Sequence, residues 1–212
     1  MKERGNLIVL SGFAGVGKGT VLKKMMAAHE GYAYSVSATT RSPRPGEEHG
    51  KDYFFLSKEE FENLIAEEKL LEHACYVGNY YGTPRDYVYE MTEQGLDVIL
   101  EIDLQGAMAI REKEPSAILI FIMPPSGEVL KDRLTGRGTE TPEVIAQRLD
   151  RAASEAMAID RYDYIVVNED ADECAERLHQ LIRSQRLRTA VNLPFIEKIQ
   201  TEMSAFSQKG EK

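Results

Sequence analysis

The chain has 212 residues, of which 42% are hydrophobic and 29% are charged, with a net charge of −9 at pH 7. This length fits one α/β domain with a small insertion better than two full domains, and the composition suffices for a substantial core. The negative charge argues against a broad basic surface for nucleic acid, although positive charge can still be concentrated in one cleft.

No part of the sequence predicts a membrane segment or a secretory leader. The N-terminus lacks the apolar region of a signal peptide, and the longest apolar run, Ala117 to Met123, is too short to span a bilayer. Cys75 and Cys174 are isolated and lie in no metal-type spacing, which predicts reduced thiols. We therefore expect a cytoplasmic protein with neither nucleic acid nor membrane as a partner.

Apolar runs alternate with helical segments along most of the chain. Four short runs predict buried parallel strands: Leu7–Leu10, Val98–Ile102, Ala117–Met123 and Tyr164–Val167. Helix starts are predicted by a capping box at Ser57–Glu60, by Thr83-Pro84 and Thr141-Pro142 as N-cap and first residue, and by the acidic residues Asp170–Glu173. This alternation predicts a doubly wound α/β core with a parallel sheet flanked by helices.

Two stretches depart from the alternation. Residues 35–84 are rich in Ser, Thr, Tyr, Gly and Pro and predict a small strand-rich insertion with one helix, Lys58 to Glu68. A glycine-flanked arginine, Arg137, indicates a flap within a lid at about 134–150. The predicted core therefore comprises residues 1–34 and 85–212, and the tail after Arg188 has weak helical character.

The nine residues that follow the first predicted strand have the pattern of a phosphate-binding loop. Gly12, Gly17 and Lys18 meet the spacing G-x-x-x-x-G-K, and a helical segment, Val21 to Ala28, comes next. Glycines allow backbone N–H groups to converge on an anion, and a helix N-terminus adds partial positive charge. Gly19 stands where the pattern has Ser or Thr, and the hydroxyl comes at Thr20. The alternative is a glycine-rich turn that binds no phosphate, and its position between a predicted strand and a predicted helix disfavours this alternative.

A second anion site is predicted around Arg41 and Arg44, which lie three residues apart in a proline-containing turn. The planar guanidinium group suits phosphate, although a solvated basic loop would have the same composition. Tyr53 and Tyr81 can supply hydroxyls to the same phosphate. Glu72 offers a carboxylate, and guanine presents two adjacent donors, N1–H and N2–H, which a carboxylate complements.

Five sequence motifs resemble the guanylate kinase family over about Leu7 to Arg183. They are Ser35–Glu47, Gly50–Tyr53, Gly78–Thr83, Glu101–Gly106 and Gly136–Thr141. The resemblance implies a P-loop kinase core, a GMP-binding insertion and a lid, and it implies transfer of a phosphoryl group from ATP to GMP, with dGMP as an expected second acceptor. Magnesium, as Mg-ATP, is the implied cofactor, and the homodimer is an open expectation.

The resemblance also implies roles for individual residues. ATP is expected to contact Gly12, Phe13, Ala14, Gly15, Val16, Gly17, Lys18, Gly19, Thr20 and Asn168. GMP is expected to contact Ser37, Arg41, Arg44, Tyr53, Glu72, Tyr81, Thr83 and Asp103. Lys18, Arg41, Arg137 and Arg148 are expected to surround the transferring phosphoryl group, and Thr20 and Asp103 are the magnesium candidates, through water.

Several alternatives stay open at this point. Asn168 could cap the last core helix instead of lying near adenine, and Arg148 could form an ordinary surface ion pair. The domain could be a non-catalytic phosphopeptide-binding module, as some guanylate kinase-like domains are. It could also phosphorylate a different nucleoside monophosphate if Glu72 and Thr83 do not face the base.

Overall fold

The computed structural model describes residues 4–76, 78–136 and 141–207. At its centre is a five-stranded sheet in the order β2-β7-β1-β8-β9, and all the pairs of neighbours are parallel. Its strands are β1 (Leu7–Gly12), β2 (Tyr32–Tyr34), β7 (Asp97–Glu101), β8 (Ile118–Met123) and β9 (Tyr164–Val167). Because all five run the same way, the loops after β1 and β7 meet at one edge of the sheet.

A second, smaller sheet is formed by the region that breaks the sequence pattern. It has four strands in the order β4-β3-β6-β5. They are β3 (Ala38–Thr39), β4 (Phe54–Phe55), β5 (Leu70–Tyr76) and β6 (Asn79–Pro84). A separate small core of Ala38, Phe61 and Leu70 supports this sheet, with Tyr80 stacked on Phe61 at a centroid distance of 5.3 Å.

Helices connect the strands and flank the large sheet. They are α1 (Lys18–Ala28), α2 (Lys58–Ala66), α3 (Arg85–Glu93), α4 (Leu104–Lys113), α5 (Gly127–Thr135), α6 (Pro142–Ala156), α7 (Ala171–Ser184) and α8 (Leu193–Ser207). Short 3-10 helices span Ile159–Arg161 and Gln185–Leu187. Within the part of the chain that is described, no helix combines the length and apolarity needed to cross a membrane.

The large sheet is buried on both faces, which explains its continuous apolar runs. Ile8, Val9, Leu10 and Ile120 are all completely buried in the main core. Such double burial is expected for parallel strands covered by helices. The predicted fold class, a parallel sheet flanked by helices, is confirmed, and the four predicted core strands are present.

The strand β2 was not predicted. It has only three residues, Tyr-Ala-Tyr, and its tyrosines are partly buried, so it lacks the apolar run that marks the other core strands. It is held in place by parallel pairing with β7, with Ala33 opposite Val98. A strand of this kind depends on its neighbour and not on its own composition.

One predicted helix cap is wrong, and one alternative left open by the sequence is excluded. Strand β6 runs through Thr83 to Pro84, and α3 begins at Arg85 with no side-chain cap, because the Thr83 hydroxyl donates to Glu72 instead. Asn168 does not cap the last core helix, since the N-cap of α7 is Asp170, whose carboxylate accepts from two backbone amides. The caps at Ser57 and Thr141 are confirmed.

Candidate functional site

The phosphate-binding loop lies between the end of β1 and the start of α1. Gly15 and Gly17 have φ values of +85° and +97°, which L side chains rarely adopt. A Cβ atom on Gly15 would lie 2.6 Å from Leu134 Cδ2, and one on Gly17 would lie 2.7 Å from Asn168 Nδ2. Both glycines are therefore required by backbone conformation and by space, and the tight loop directs its amides toward the N-terminus of α1.

A cavity of about 350 Å³ opens beside this loop. Its lining is polar and consists of Gly15, Gly17, Lys18, Gly19, Thr20, Lys23 and Glu101. The Lys18 ammonium group lies within the curve of the loop, where Nζ donates to the carbonyl oxygens of Gly12 at 2.7 Å and Phe13 at 3.3 Å. Two lysines and a helix N-terminus make this cavity a site for polyanions such as phosphate chains.

The far side of the loop is held by two side chains from later in the chain. Asn168 Nδ2 donates to the Val16 carbonyl at 2.7 Å, and Arg133 Nη1 donates to the same oxygen at 3.3 Å. Asn168 is 4% exposed, and its Oδ1 atom has no hydrogen-bond partner among the described residues. A buried amide oxygen without a donor is uncommon and is suited to accept from a bound group.

A cluster on the second sheet carries one of the two predicted arginines. Arg41 forms a two-pronged ion pair with Glu47, with Nη1 to Oε2 at 2.8 Å and Nη2 to Oε1 at 3.0 Å. The guanidinium carbon also lies 5.2 Å from the centroid of the Tyr53 ring, and the Tyr53 and Tyr81 rings are 6.2 Å apart. The contact with Glu47 raises the pKa of Arg41 and lowers that of Glu47.

The Arg41 fork is thus already paired with an anion of two oxygens, the Glu47 carboxylate. A carboxylate and a phosphate present the same paired acceptor geometry to a guanidinium group. Glu47 also accepts from the Arg44 backbone amide at 2.7 Å, which ties the turn together, while the side chain of Arg44 is exposed. The predicted group of Arg41, Tyr53 and Tyr81 therefore assembles, with Arg44 on the same turn.

Behind this cluster lies a buried carboxylate. Glu72 is 4% exposed, and its Oε1 atom accepts from the hydroxyl of the fully buried Thr83 at 2.7 Å. The pKa of Glu72 is raised to about 7, because burial raises it more than the hydrogen bond from Thr83 lowers it, and the nearby Asp103 adds to the increase. A carboxylate this deeply buried needs a specific partner for its second oxygen.

Each oxygen of the partly exposed Asp103 carboxylate accepts a hydrogen bond from the protein. It caps α4, with Oδ1 accepting from the Gly106 amide at 3.1 Å, and its Oδ2 accepts from Arg151 at 3.0 Å. Two residues earlier, Glu101 lines the loop cavity and accepts a hydrogen bond from Tyr34, whose pKa is raised mainly by burial. The segment after β7 thus places Glu101 at the loop cavity and the first turn of α4 beside Glu72, since a Cβ atom on Gly106 would lie 3.0 Å from Glu72 Oε2.

The remaining predicted residues, Ser37, Arg148 and Arg137, are not among the contacts described for the loop cavity, the Arg41 cluster or Glu72. Ser37 is partly buried, and its carbonyl accepts from the Phe54 amide at 2.9 Å. Arg148 is partly buried on α6 and does not belong to the described lining of the loop cavity. Arg137 and the Gly136–Thr141 motif around it fall largely outside the described residues, which omit 137–140.

Sequence reasoning gave no role to Glu101 and Glu47, and it interpreted Arg133 as solvated, whereas Arg133 donates to the Val16 carbonyl. Glu101 could have been found from its position at the carboxyl end of the strand next to β1, where ligands of parallel sheets bind. Glu47 and Arg133 had no comparable signal, because their partners are set by the folding of a turn and by a contact between α5 and the loop.

A glycine loop between a strand and a helix of a parallel sheet, with a facing lobe that carries a second anion cluster, defines a P-loop nucleotide-binding protein of the α/β class. The family model for guanylate kinase matches residues 4–185. The chain belongs to the guanylate kinase family.

Individual relatives agree with this assignment. The chain is 51% identical to the guanylate kinase of Streptococcus thermophilus (strain CNRZ 1066) over 189 residues, which is 89% of this chain and 90% of the relative. It is 50% identical to that of Lactococcus lactis subsp. lactis (strain IL1403) over 188 residues, 89% of this chain and 92% of the relative. The crystal structure of guanylate kinase from Anaplasma phagocytophilum superposes with a TM-score of 0.75 at 37% identity, covering 92% of this chain and 94% of that chain.

Proposed function

We propose that this chain is an ATP:GMP phosphotransferase, which moves the γ-phosphoryl group of ATP to GMP and yields ADP and GDP. The observation that carries the proposal is the segment that links β7 to α4. Glu101, at the end of β7, lines the phosphate-loop cavity. Two residues later Asp103 caps α4 by accepting from the Gly106 amide, and a Cβ atom on Gly106 would lie 3.0 Å from Glu72 Oε2. The loop cavity and the buried Glu72 therefore lie at the two ends of one short segment, as expected if ATP and GMP bind side by side.

The base is selected by Glu72 and Thr83. In the proposed complex the Glu72 carboxylate accepts the N1–H and N2–H donors of guanine, while the Thr83 hydroxyl holds Oε1 in place, as it does in the structure at 2.7 Å. Adenine has no donor at N1, so it would leave a buried carboxylate oxygen unpaired. Sites of this kind reject the wrong base strongly, because desolvation of the unpaired group is not offset.

The acceptor phosphate is held by Arg41, Tyr53 and Tyr81, with Arg44 as a second guanidinium on the same turn. Glu47 already holds the Arg41 side chain in place, and because both prongs of the fork are paired with Glu47, the phosphate must use the remaining N–H groups of Arg41 or displace Glu47. Ser37 and Asp103 complete the proposed GMP pocket near the base. The cationic cluster both binds GMP and neutralises its charge as it approaches ATP.

The transfer step needs alignment more than covalent chemistry. An oxygen of the GMP phosphate attacks the γ-phosphorus, the new P–O bond forms, and the bond to the β,γ-bridging oxygen breaks so that ADP leaves. The attacking oxygen is already an anion, so no general base is required. Lys18, Arg41, Arg137 and Arg148 are proposed to neutralise charge on the moving group.

The ATP side is proposed to use the loop amides from Gly12 to Thr20 for the phosphate chain. Asn168 would meet the adenine, since its buried Oδ1 atom has no protein donor among the described residues and can accept from the exocyclic amine. Closure of the insertion and of the lid would exclude water and suppress hydrolysis of ATP.

Magnesium fits the loop cavity. The Thr20 hydroxyl and the Glu101 carboxylate both line it beside Lys18, and oxygen donors are the ligands that Mg²⁺ prefers. When bound, the ion would offset the charge of the ATP phosphates. Asp103, the carboxylate expected from sequence, already accepts hydrogen bonds from the first turn of α4 and from Arg151. Glu101 is therefore the better candidate to bind a magnesium-bound water.

The decisive experiment follows ADP formation from ATP with GMP, dGMP, AMP, CMP and UMP offered separately. GMP should support turnover, and dGMP should be a second substrate because the described pocket is built around base and phosphate. Turnover with AMP or CMP instead would establish a kinase of other specificity. Absence of turnover with every acceptor, together with binding of a phosphorylated peptide, would support the phosphopeptide-binding alternative. A cytoplasmic location and a homodimeric state stay predictions.

A further inference from the structure

Helix α8 carries an exposed apolar stripe that the proposed reaction does not use. The α8 stripe consists of Phe195, Ile196, Ile199, Met203 and Phe206, which lie within about 100° of the helix circumference at the helical period. Phe195, Met203 and Phe206 are 61%, 60% and 68% exposed. None of the α8 side chains belongs to, or packs against, a hydrophobic core of the described chain.

The spacing of the stripe is that of a helix-packing seam. Ile196, Ile199, Met203 and Phe206 follow one another at intervals of three, four and three residues, as in the a and d positions of a short coiled coil. The polar residues lie elsewhere on the helix, where Lys198 and Glu202 approach to 3.8 Å. A uniformly apolar seam is self-complementary, because a two-fold axis places the same side chains opposite one another.

The exposed area is close to what a stable dimer requires. Ile199 is the fourth exposed residue of the α8 stripe, at 38%. Outside the stripe, Leu187 and Val191 before the helix and Leu193 at its first position are 82%, 40% and 50% exposed. Covering these seven side chains would bury on the order of 700 Å² per copy, against roughly 800 Å² per partner in a standard interface. An exposed apolar area of this size on one element marks an interaction site.

Charge argues against a lipid surface as the occupant. Helices that lie on membranes carry Lys and Arg on their polar face. Helix α8 instead has two glutamates, Glu197 and Glu202, against one lysine. Arg186 and Arg188 flank Leu187, but the whole chain has a net charge of −9, which disfavours an anionic bilayer.

We propose that the α8 stripe is the interface of a homodimer, in which α8 of one copy packs against α8 of a second copy around a two-fold axis. The interaction is hydrophobic between two acidic copies, so added salt should strengthen it by screening their mutual repulsion. The surface lies outside residues 4–185, which match the family model.

The test measures molar mass by sedimentation equilibrium over a concentration series. Wild type should approach twice 23.9 kDa as concentration rises. The double variant Phe195→Glu/Met203→Glu should stay at the single mass. Ile165→Glu is the matched control, because Ile165 on the edge strand β9 is 57% exposed, close to Phe195, and this variant should dimerise as wild type does. Turnover and thermal melting report that each variant is folded.

A second variant places a thiol in the α8 stripe. In a Cys75→Ser background, which removes the exposed cysteine, Ile199→Cys should form a covalent dimer under mild oxidation. A wild type that stays at the single mass at every concentration would overturn the proposal, as would a double variant that still dimerises. Flotation of wild type with phosphatidylglycerol vesicles, abolished by the double variant, would overturn it in favour of a lipid surface.

Discussion

Replacing Glu72 by glutamine should change function and stability in opposite directions. The carboxylate is buried and receives one hydrogen bond, from Thr83 at 2.7 Å. Glutamine keeps the shape and one acceptor but presents an NH2 group where guanine also presents donors. The variant loses a charge-assisted hydrogen bond to guanine, and its NH2 group then faces a guanine N–H donor. This change should weaken transition-state binding by about 3 kcal/mol, which lowers kcat/KM for GMP by about 100-fold.

The effect on stability follows from the pKa. Burial raises the pKa of Glu72 from 4.5 to about 7, so the folded protein retains a proton that the unfolded chain has lost between these values. The contribution of this group to stability is therefore complete below the unfolded pKa and is lost as pH rises through the folded pKa. At pH 8 the loss amounts to about 3 kcal/mol, and near pH 5 to about 1 kcal/mol.

Glutamine stays neutral and avoids this loss. Without nucleotide, the Glu72→Gln variant should melt roughly 5–10 °C above wild type at pH 8, with a much smaller difference at pH 5. The measurements are calorimetric melts at both pH values and coupled ADP assays with GMP and AMP. Glu112→Gln, at an exposed position of α4, is the control and should change neither. An unchanged preference for GMP over AMP, or a lower melting temperature at pH 8, would refute the role assigned to Glu72.

Three further predictions concern the two anion sites. Lys18→Ala should lower kcat by about 100-fold or more with an unchanged melting temperature; near-normal turnover in single-turnover assays would contradict the loop assignment. Arg41→Lys should raise KM for GMP by roughly tenfold, since lysine lacks the fork that Glu47 orients, with KM for ATP as the internal control. Gly15→Ala should destabilise the fold by about 1–3 kcal/mol in urea titrations, whereas Gly19→Ala, with open space around its Cβ, should not; equal effects would be inconsistent with strain.

Local patterns predicted much of the architecture. The runs around Ile8 and Ile120 are apolar throughout because both faces of a parallel sheet are covered, so composition alone identifies them as strands. The phosphate loop was equally predictable from sequence, since Gly15 and Gly17 adopt positive φ values that exclude most side chains. These features depend on residues that are neighbours in the chain.

Contacts between distant residues could not be predicted in this way. Thr83 has a good N-cap composition, yet it donates to Glu72, because antiparallel pairing of β5 with β6 brings the two together inside the second sheet. Capping of the last core helix was one alternative for Asn168, but its side chain donates a hydrogen bond to the carbonyl of Val16, 152 residues away in the chain. A buried polar group cannot bond to water, so its hydrogen-bond partner is the group that the fold places beside it.

The sequence by itself determined that this protein has a phosphate loop, a parallel core and a second cluster of arginines, because each follows from backbone conformation or from local hydrophobicity. Only the tertiary structure decided which residues from other parts of the chain join each cluster. Parallel pairing of β7 with β1 brings Glu101 to the loop cavity, and the first turn of α4 packs beside Glu72, where a Cβ atom on Gly106 would lie 3.0 Å from Oε2. Register between strands is a property of the assembled sheet, so no single stretch of sequence contains it.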